Sequence, residues 1–180
     1  EFMNAFEEHY ASKADIIDEI NISMGASGEL RYPAYNPRDP VCDYPTRGCF
    51  QAYSESAKND FRVYLQNQYQ TLEGINKAWD SKFTDWIQIS PPDDGTALDG
   101  RASSFVISGQ YKNSQYGLDF IDWYNNALIE HGKRMLDAGI TAFDGAFTNI
   151  EIGLKIAGIH WQMSPQAPFP RITEMAVGVI

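Results

Sequence analysis

Two short stretches of the chain alternate apolar and polar residues, which is the pattern of a β-strand with one buried face. From Ile16 to Met24 the even positions are apolar and most of the odd positions are polar, apart from Ile17 and Asp18 at the start. From Ile150 to Ile156 isoleucine and leucine fill the even positions, and Glu151, Gly153 and Lys155 fill the odd ones. Both stretches are predicted to be strands that keep a polar face.

Helical periodicity dominates the sequence between these strands. From Tyr116 to Phe143 apolar residues recur at spacings of three and four, which predicts one long amphipathic helix. A second helix is predicted from Ser54 to Tyr69. Thr71 is a candidate N-cap for a short helix that ends at Trp79. The stretch from Ile87 to Gly109 is predicted to be loop.

A strand, a long helix and a second strand make a βαβ unit, whose strands pair in parallel through a right-handed crossover. Strands of an open doubly wound sheet are apolar on both faces, whereas a barrel strand can point polar residues inward near its functional end. We therefore predict the α/β class and part of a (β/α)8 barrel, with residues 33–115 as a long loop and helical insertion. A complete barrel needs about 250 residues and eight strands, so these 180 residues are expected to form a central portion.

Composition narrows the kinds of partner. The chain has 14 basic and 24 acidic residues, a net charge of −10, and no block of basic residues, so nucleic-acid binding is not expected. It has no run of eighteen apolar residues, so no membrane span is expected. Ten tyrosines, ten phenylalanines and four tryptophans are expected mainly in the core, although such rings can also stack on sugars.

The cysteines leave two alternatives open. Cys42 and Cys49 lie in one loop rich in proline and glycine, so they could form a local disulfide in an exported protein or remain thiols in a cytosolic one. No histidine is close enough in sequence to complete a zinc site, and no calcium loop is recognisable, so no metal is expected. Residues 1–3 are interpreted as a cloning scar or an arbitrary cut.

Candidate chemistry lies directly after each predicted strand. Active sites of (β/α)8 barrels are found at the carboxyl ends of the strands. After the first strand comes GASGELRYPAY, which places Glu29 beside Arg31 among small residues. At the end of the second comes KIAGIHW, which contains Lys155, His160 and Trp161.

Both motifs resemble a known family. GASGELRYPAY resembles the signature around the general acid of β-amylases, and KIAGIHW resembles a glucan-binding segment of the same family, in the same order along the chain. The intervening FQAYSESAKNDFRVYLQNQY and YGLDFIDWYNNALIEHG resemble bacterial members. The resemblance covers nearly all of residues 1–180, which it identifies as part of a β-amylase catalytic domain.

The resemblance implies a specific reaction. Enzymes of this family hydrolyse α-1,4-glucosidic bonds of starch-type glucans from the non-reducing end and release maltose with inversion, without a cofactor. It implies that Glu29 is the general acid and that Lys155, His160 and Trp161 bind the glucan. Inversion also requires a second carboxylate as general base, about 6.5–9.5 Å from the acid. In the family this base lies on a later strand, so it is expected to be missing from this chain. Bacterial relatives that digest starch act outside the cell, which implies secretion.

Simpler roles exist for each of these residues. Glu29 and Arg31, two apart on an extended chain, could form only a structural salt bridge. Lys155 could be the ion-pair partner of Glu151, and a His-Trp pair often packs rather than binds. Glu151 is not expected to be the base, because it lies four residues before Lys155 and so about 13 Å deeper along the strand.

Two alternatives to a complete enzyme follow from the missing base. The chain could be a catalytically silent glucan-binding module. It could also be a half-barrel whose missing strands are supplied by another chain, because open sheet edges invite pairing. His9 and His131 lie on predicted helices and are assigned no function.

Overall fold

The computed structural model describes residues 1–33, 50–92, 105, 109–158 and 175–178. The chain divides into two compact units, Glu1–Arg31 with Ala127–Ala157, and Tyr32–Asn126 with Gly158–Ile180. The candidate residues Glu29 and Lys155 both belong to the first unit. No helix in the described ranges is long and apolar enough to cross a membrane.

The first unit contains the strands. Its sheet has three strands, β1 (Glu19–Ile22), β2 (Glu29–Leu30) and β3 (Glu151–Ile156). Their order is β1-β3-β2, and β3 pairs in parallel with both other strands. Parallel pairing of the two predicted strands is thereby confirmed. The bounds are α1 Phe2–Tyr10, a 3-10 helix Ala11–Ile16, β1 Glu19–Ile22, a 3-10 turn Ala26–Gly28, β2 Glu29–Leu30, the second half of α4 (Gln115–Ala142), and β3 Glu151–Ile156.

The strand predictions are right in position and partly wrong in extent. The second strand begins one residue later than predicted. The first was predicted from Ile16 to Met24 but spans only Glu19–Ile22, and Glu19 is the register partner of Glu151 at the beginning of β3. Ile16 instead ends a 3-10 helix and is 72% exposed. The apolar–polar alternation thus extends to residues before Glu19, which have no partner in β3.

Helix α4 packs on the sheet through glycines. A Cβ on Gly132 would lie 2.9 Å from a methyl group of Leu30, and a Cβ on Gly139 would collide with the end of Ile22. The helix was predicted within one residue at each end. The apolar periodicity that predicted it includes Ala138, which is exposed, and misses Gly139, which is buried. At the two glycines the strand side chains pack directly on the helix backbone. Because glycine has no apolar side chain, a count of apolar positions does not include it.

The second unit contains the two shorter helices of the predicted insertion, α2 (Glu55–Tyr69) and α3 (Leu72–Trp79). Both match the prediction, and each begins directly after the residue that caps it. The Ser54 hydroxyl accepts from the amide of Ala57, and the Thr71 hydroxyl accepts from the amide of Gly74, each at 3.1 Å. In the described part of the chain, a 3-10 turn, Trp86–Gln88, overlaps the start of the predicted loop.

A buried carboxylate joins the helices of the second unit. Asp119 on α4 is 3% exposed and accepts hydrogen bonds from Tyr69 at 2.5 Å and from the indole of Trp79 at 2.7 Å. Gln68 and Gln115 donate to its other oxygen. As the composition predicted, aromatic rings make up much of the core, including Phe61, Phe120, Trp123 and Tyr124.

Candidate active site

A tight turn separates β1 from β2 and sets the position of Glu29. Ser27 and Gly28 both have left-handed backbone conformations, with φ of 59° and 77°. The amide of Met24 donates to the carbonyl of Gly28 at 3.2 Å, and the amide of Gly28 donates to that of Gly25 at 3.0 Å. The chain therefore folds back on itself for a few residues, and Glu29 begins the next strand.

Gly25 is required by close packing of backbone. A Cβ at this position would lie 2.7 Å from the carbonyl oxygen of Arg31 and 2.9 Å from that of Glu29. Real Cβ atoms essentially never approach so closely, and backbone atoms cannot swing aside as a side-chain end can. Gly25, the first residue of GASGELRYPAY, thus lets the backbone of Glu29 and Arg31 pack directly against the turn.

Arg31 holds one oxygen of the Glu29 carboxylate. Its Nε donates to Oε2 of Glu29 at 2.7 Å, and its guanidinium also donates to the hydroxyl of Ser27 at 3.2 Å. The Arg31 side chain is only 8% exposed, and that of Glu29 is 20% exposed. The salt bridge that the sequence left open is therefore present, and it is well shielded from water.

Lys155 contacts the other oxygen of the same carboxylate. Its Nζ lies 3.2 Å from Oε1 of Glu29, and the two residues are register partners in the β2–β3 pair. In the described part of the chain, Glu29 is the carboxylate that Lys155 contacts, so the alternative pairing with Glu151 is wrong. The structure thus brings two of the predicted site residues together.

The two cations lower the pKa of the Glu29 carboxyl below its usual value. The hydrogen bond from Arg31 contributes most and that from Lys155 comes next, and both outweigh the opposing effect of desolvation. A general acid near neutral pH needs a raised pKa. Glu29 is therefore ionised in this arrangement, and it needs a change in its surroundings before it can donate a proton.

His131 has a contact that the sequence gave no reason to expect. Its Nε2 lies 2.8 Å from the carbonyl oxygen of Met24, so the imidazole N–H donates to the last residue before the turn. It sits on α4, in the same unit as the strands. A histidine on a predicted helix carries no signal for such a contact, because the partner is a backbone carbonyl more than a hundred residues earlier.

The remaining predicted binding residues, His160 and Trp161, lie outside the described residues, as do Cys42 and Cys49. Within the described ranges no group of three or more His, Cys, Asp or Glu side chains is placed to hold a metal ion.

The whole chain, residues 1–180, matches the family model of Glycosyl hydrolase family 14. The chain belongs to glycosyl hydrolase family 14.

Its relatives include bacterial enzymes. The chain is 45% identical to the beta/alpha-amylase of Paenibacillus polymyxa over 178 residues. The aligned residues cover 99% of this chain and 14% of that protein. It is 44% identical over 178 residues to the beta-amylase of Cytobacillus firmus, which is 99% of this chain and 36% of that protein. The chain thus spans little more than a third, or less, of these relatives' lengths.

A solved structure agrees with these sequences. The crystal structure of the catalytic domain of beta-amylase from Paenibacillus polymyxa matches with a TM-score of 0.83 and 43% identity, over 98% of this chain and 40% of that one. The resemblance to β-amylases is confirmed. So is the prediction of an α/β chain that forms part of a (β/α)8 barrel.

Proposed function

We propose that this chain is the part of a β-amylase that carries the general acid, and that it acts on α-1,4-linked glucans from the non-reducing end to release maltose with inversion. Glu29 is the acid in this proposal. The observation that carries it is the pairing of the two candidate motifs: GASGELRYPAY and KIAGIHW meet at Glu29 and Lys155 in adjacent strands.

The placement of Glu29 supports this role. It lies at the carboxyl side of β1, in the region where barrels of this class carry their active sites. A carboxyl oxygen held in a defined direction is what proton transfer to a glycosidic oxygen requires. Membership of a family of glycosyl hydrolases, with amylases as relatives, makes a starch-type glucan the natural substrate class.

Lys155, His160 and Trp161 are proposed to bind the glucan. The Lys155 side chain is 62% exposed, so its ammonium group is available to sugar hydroxyls. An imidazole and an indole four and five residues after the end of β3 would add a hydrogen-bonding group and a stacking face.

The general base is proposed to be a second carboxylate from a part of the barrel that these 180 residues do not include. Glu151 does not suit this role, because β3 separates it from Lys155 by four residues, or about 13 Å. The base would have to lie about 6.5–9.5 Å from Glu29 to leave room for the attacking water.

One observation favours a second candidate, an incomplete barrel that needs further strands. Ile156, at the end of β3, is 69% exposed, although its alternation with Ile152 and Leu154 marks it as a core position. The remaining strands and helices of a barrel, from the same protein or from another chain, would cover it. Without them the chain would bind glucan and not hydrolyse it.

Secretion of the protein stays a prediction.

The test uses proton NMR to identify the product that is formed first from maltopentaose. The chain is assayed alone and joined to the remaining segments of the Paenibacillus polymyxa catalytic domain. Maltose that first appears as the β-anomer supports inversion and release from the chain end. First appearance as the α-anomer, or products other than maltose, would contradict the proposal. Binding without hydrolysis by the isolated chain, with hydrolysis by the joined one, would support the incomplete barrel.

A further inference from the structure

The two cations that hold Glu29 are not equivalent. Arg31 approaches Oε2 at 2.7 Å, is 8% exposed, and is also tied to the Ser27 hydroxyl. Lys155 approaches Oε1 at 3.2 Å and is 62% exposed. A shielded guanidinium with a second partner is fixed, whereas an ammonium on a flexible, solvated stem can move at little energetic expense.

This asymmetry separates the two carboxylate oxygens. We propose that Arg31 is the positioning residue of Glu29, which holds Oε2 throughout, while Lys155 leaves Oε1 when a glucan binds, so that Oε1 carries the proton delivered to the substrate. The inference rests on the proposed function, because a glucan hydroxyl is the group that draws Lys155 away.

The steps balance without any additional reactant. Oε1 takes a proton from solvent once the ammonium has moved to a sugar hydroxyl. In the cleavage step the Oε1–H bond breaks, the proton passes to the glycosidic oxygen, and the bond between that oxygen and C1 breaks. Water attacks C1 and loses its proton to the second carboxylate. Glu29 is left ionised, and Lys155 can return to it.

Of the charged groups around Glu29, Lys155 is the one whose movement can change the pKa of its carboxyl. In the described ranges, the charged groups that act on its pKa are Arg31, which directly follows β2, and Lys155 from β3. The turn contributes the neutral Ser27 hydroxyl to Arg31. Helix α4 packs nearby through Gly132 against Leu30, a contact without charge. Removing Lys155 from Oε1 while Arg31 stays therefore weakens the stabilisation of the anion and preserves its direction.

The first experiment follows the carbon-13 chemical shift of the Glu29 carboxyl against pH in the 180-residue chain. Arg31→Gln is expected to raise its pKa more than Lys155→Gln does, and Arg31→Lys to fall between wild type and Arg31→Gln. Lys133→Gln is the matched control, because Lys133 is also 62% exposed and pairs with Glu130 at 2.6 Å in the same unit. It should leave the Glu29 titration unchanged. A larger effect of Lys155→Gln than of Arg31→Gln would overturn the assignment of the fixed and the exchangeable partner.

The second experiment repeats the titration with saturating maltotetraose. The expected result is a raised Glu29 pKa in wild type, with a much smaller change in Lys155→Gln, where the ammonium is already gone. Binding reported by other resonances with no change in the Glu29 titration would overturn the exchange and leave the proposed function standing. Absence of any binding would instead remove the proposed glucan site, and the inference with it.

The separate effects on kcat and KM in the joined enzyme distinguish a positioning role of Arg31 from a merely structural one. Arg31→Lys should lower kcat by about 10-fold or more with little change in KM, since it misplaces a group that acts in the transition state. Lys155→Gln should mainly raise KM. Equal effects of both variants on KM alone would contradict a positioning role for Arg31.

Discussion

Glu29 and Lys155 are register partners across the β2–β3 pair, and their charged groups meet at 3.2 Å. The candidate acid and a candidate substrate-binding residue are thus linked by sheet pairing as well as by charge. Any change that shifts β2 along β3 separates them. Stability and activity should therefore be coupled at this point of the fold.

Acid should weaken the first unit through Glu29. Its pKa is lowered in the folded chain, chiefly by Arg31, so its contribution to the free energy of unfolding is complete above the ordinary pKa and is lost as the pH falls through the lowered one. Urea unfolding followed from pH 7 to pH 2 should show this loss. It should be smaller in Glu29→Gln, which has no carboxyl to titrate. Identical pH profiles for the two proteins would contradict the ion pair.

Gly25→Ala should destabilise the turn by about 1–3 kcal/mol, because the new methyl group meets two backbone carbonyl oxygens that must move apart. The displacement should also return the pKa of Glu29 toward its ordinary value. Gly158→Ala is the comparison, since a Cβ there meets nothing within 4 Å, and its unfolding free energy should change by less than about 1 kcal/mol. Equal stabilities for both variants would show that the close approach at Gly25 is absent.

Asp119→Asn should lower the free energy of unfolding by about 1–3 kcal/mol. The carboxylate accepts from four donors, and an amide would turn an N–H toward two of them. Asp122→Asn is the matched control on the same helix, because Asp122 is exposed and accepts from the Tyr64 hydroxyl. Denaturant unfolding should show the larger loss for the Asp119 variant. A larger loss for Asp122→Asn would be inconsistent with a buried hub.

Alkali should unfold the second unit as its tyrosines ionise. Burial, together with the charge of Asp60, raises the pKa of Tyr32 to about 12. Burial and the hydrogen bond to Asp119 raise the pKa of Tyr69 to about 12. Because both are raised, their contribution to stability is complete below pH 10 and is lost as the pH rises through 12. Absorbance at 295 nm and circular dichroism should change together there. The loss of stability should be smaller in Tyr69→Phe, and unchanged in Tyr10→Phe, a substitution in the other unit.

Local signals explain which parts of the fold the sequence could predict. Ser54 and Thr71 cap their helices with their own side chains, so the starts of α2 and α3 are encoded within a few residues. The start of β1 depends on where β3 begins, which alternation at Ile16 cannot report. The two-residue β2 is too short to have a period, so its pairing with β3 was missed.

The sequence named the candidate residues and left most of their contacts open. Two motifs pointed to Glu29 and Lys155, but only the register shows that one carboxylate receives both Lys155 and Arg31. A general acid near neutral pH needs a raised pKa, and the described residues supply two cations that lower it. The contact between His131 and Met24 depends on tertiary packing alone.

The most direct test of Glu29 as general acid compares two substrates in the joined enzyme. Glu29→Gln should lower kcat on maltopentaose by about 10²- to 10⁴-fold, because glutamine has no proton to give the leaving sugar. It should reduce turnover of α-maltosyl fluoride far less, since fluoride leaves with little help from an acid. Glu151→Gln, the same change on β3, should hydrolyse both substrates as wild type does. Unchanged hydrolysis of maltopentaose by Glu29→Gln, or equal losses on both substrates, would contradict the assignment.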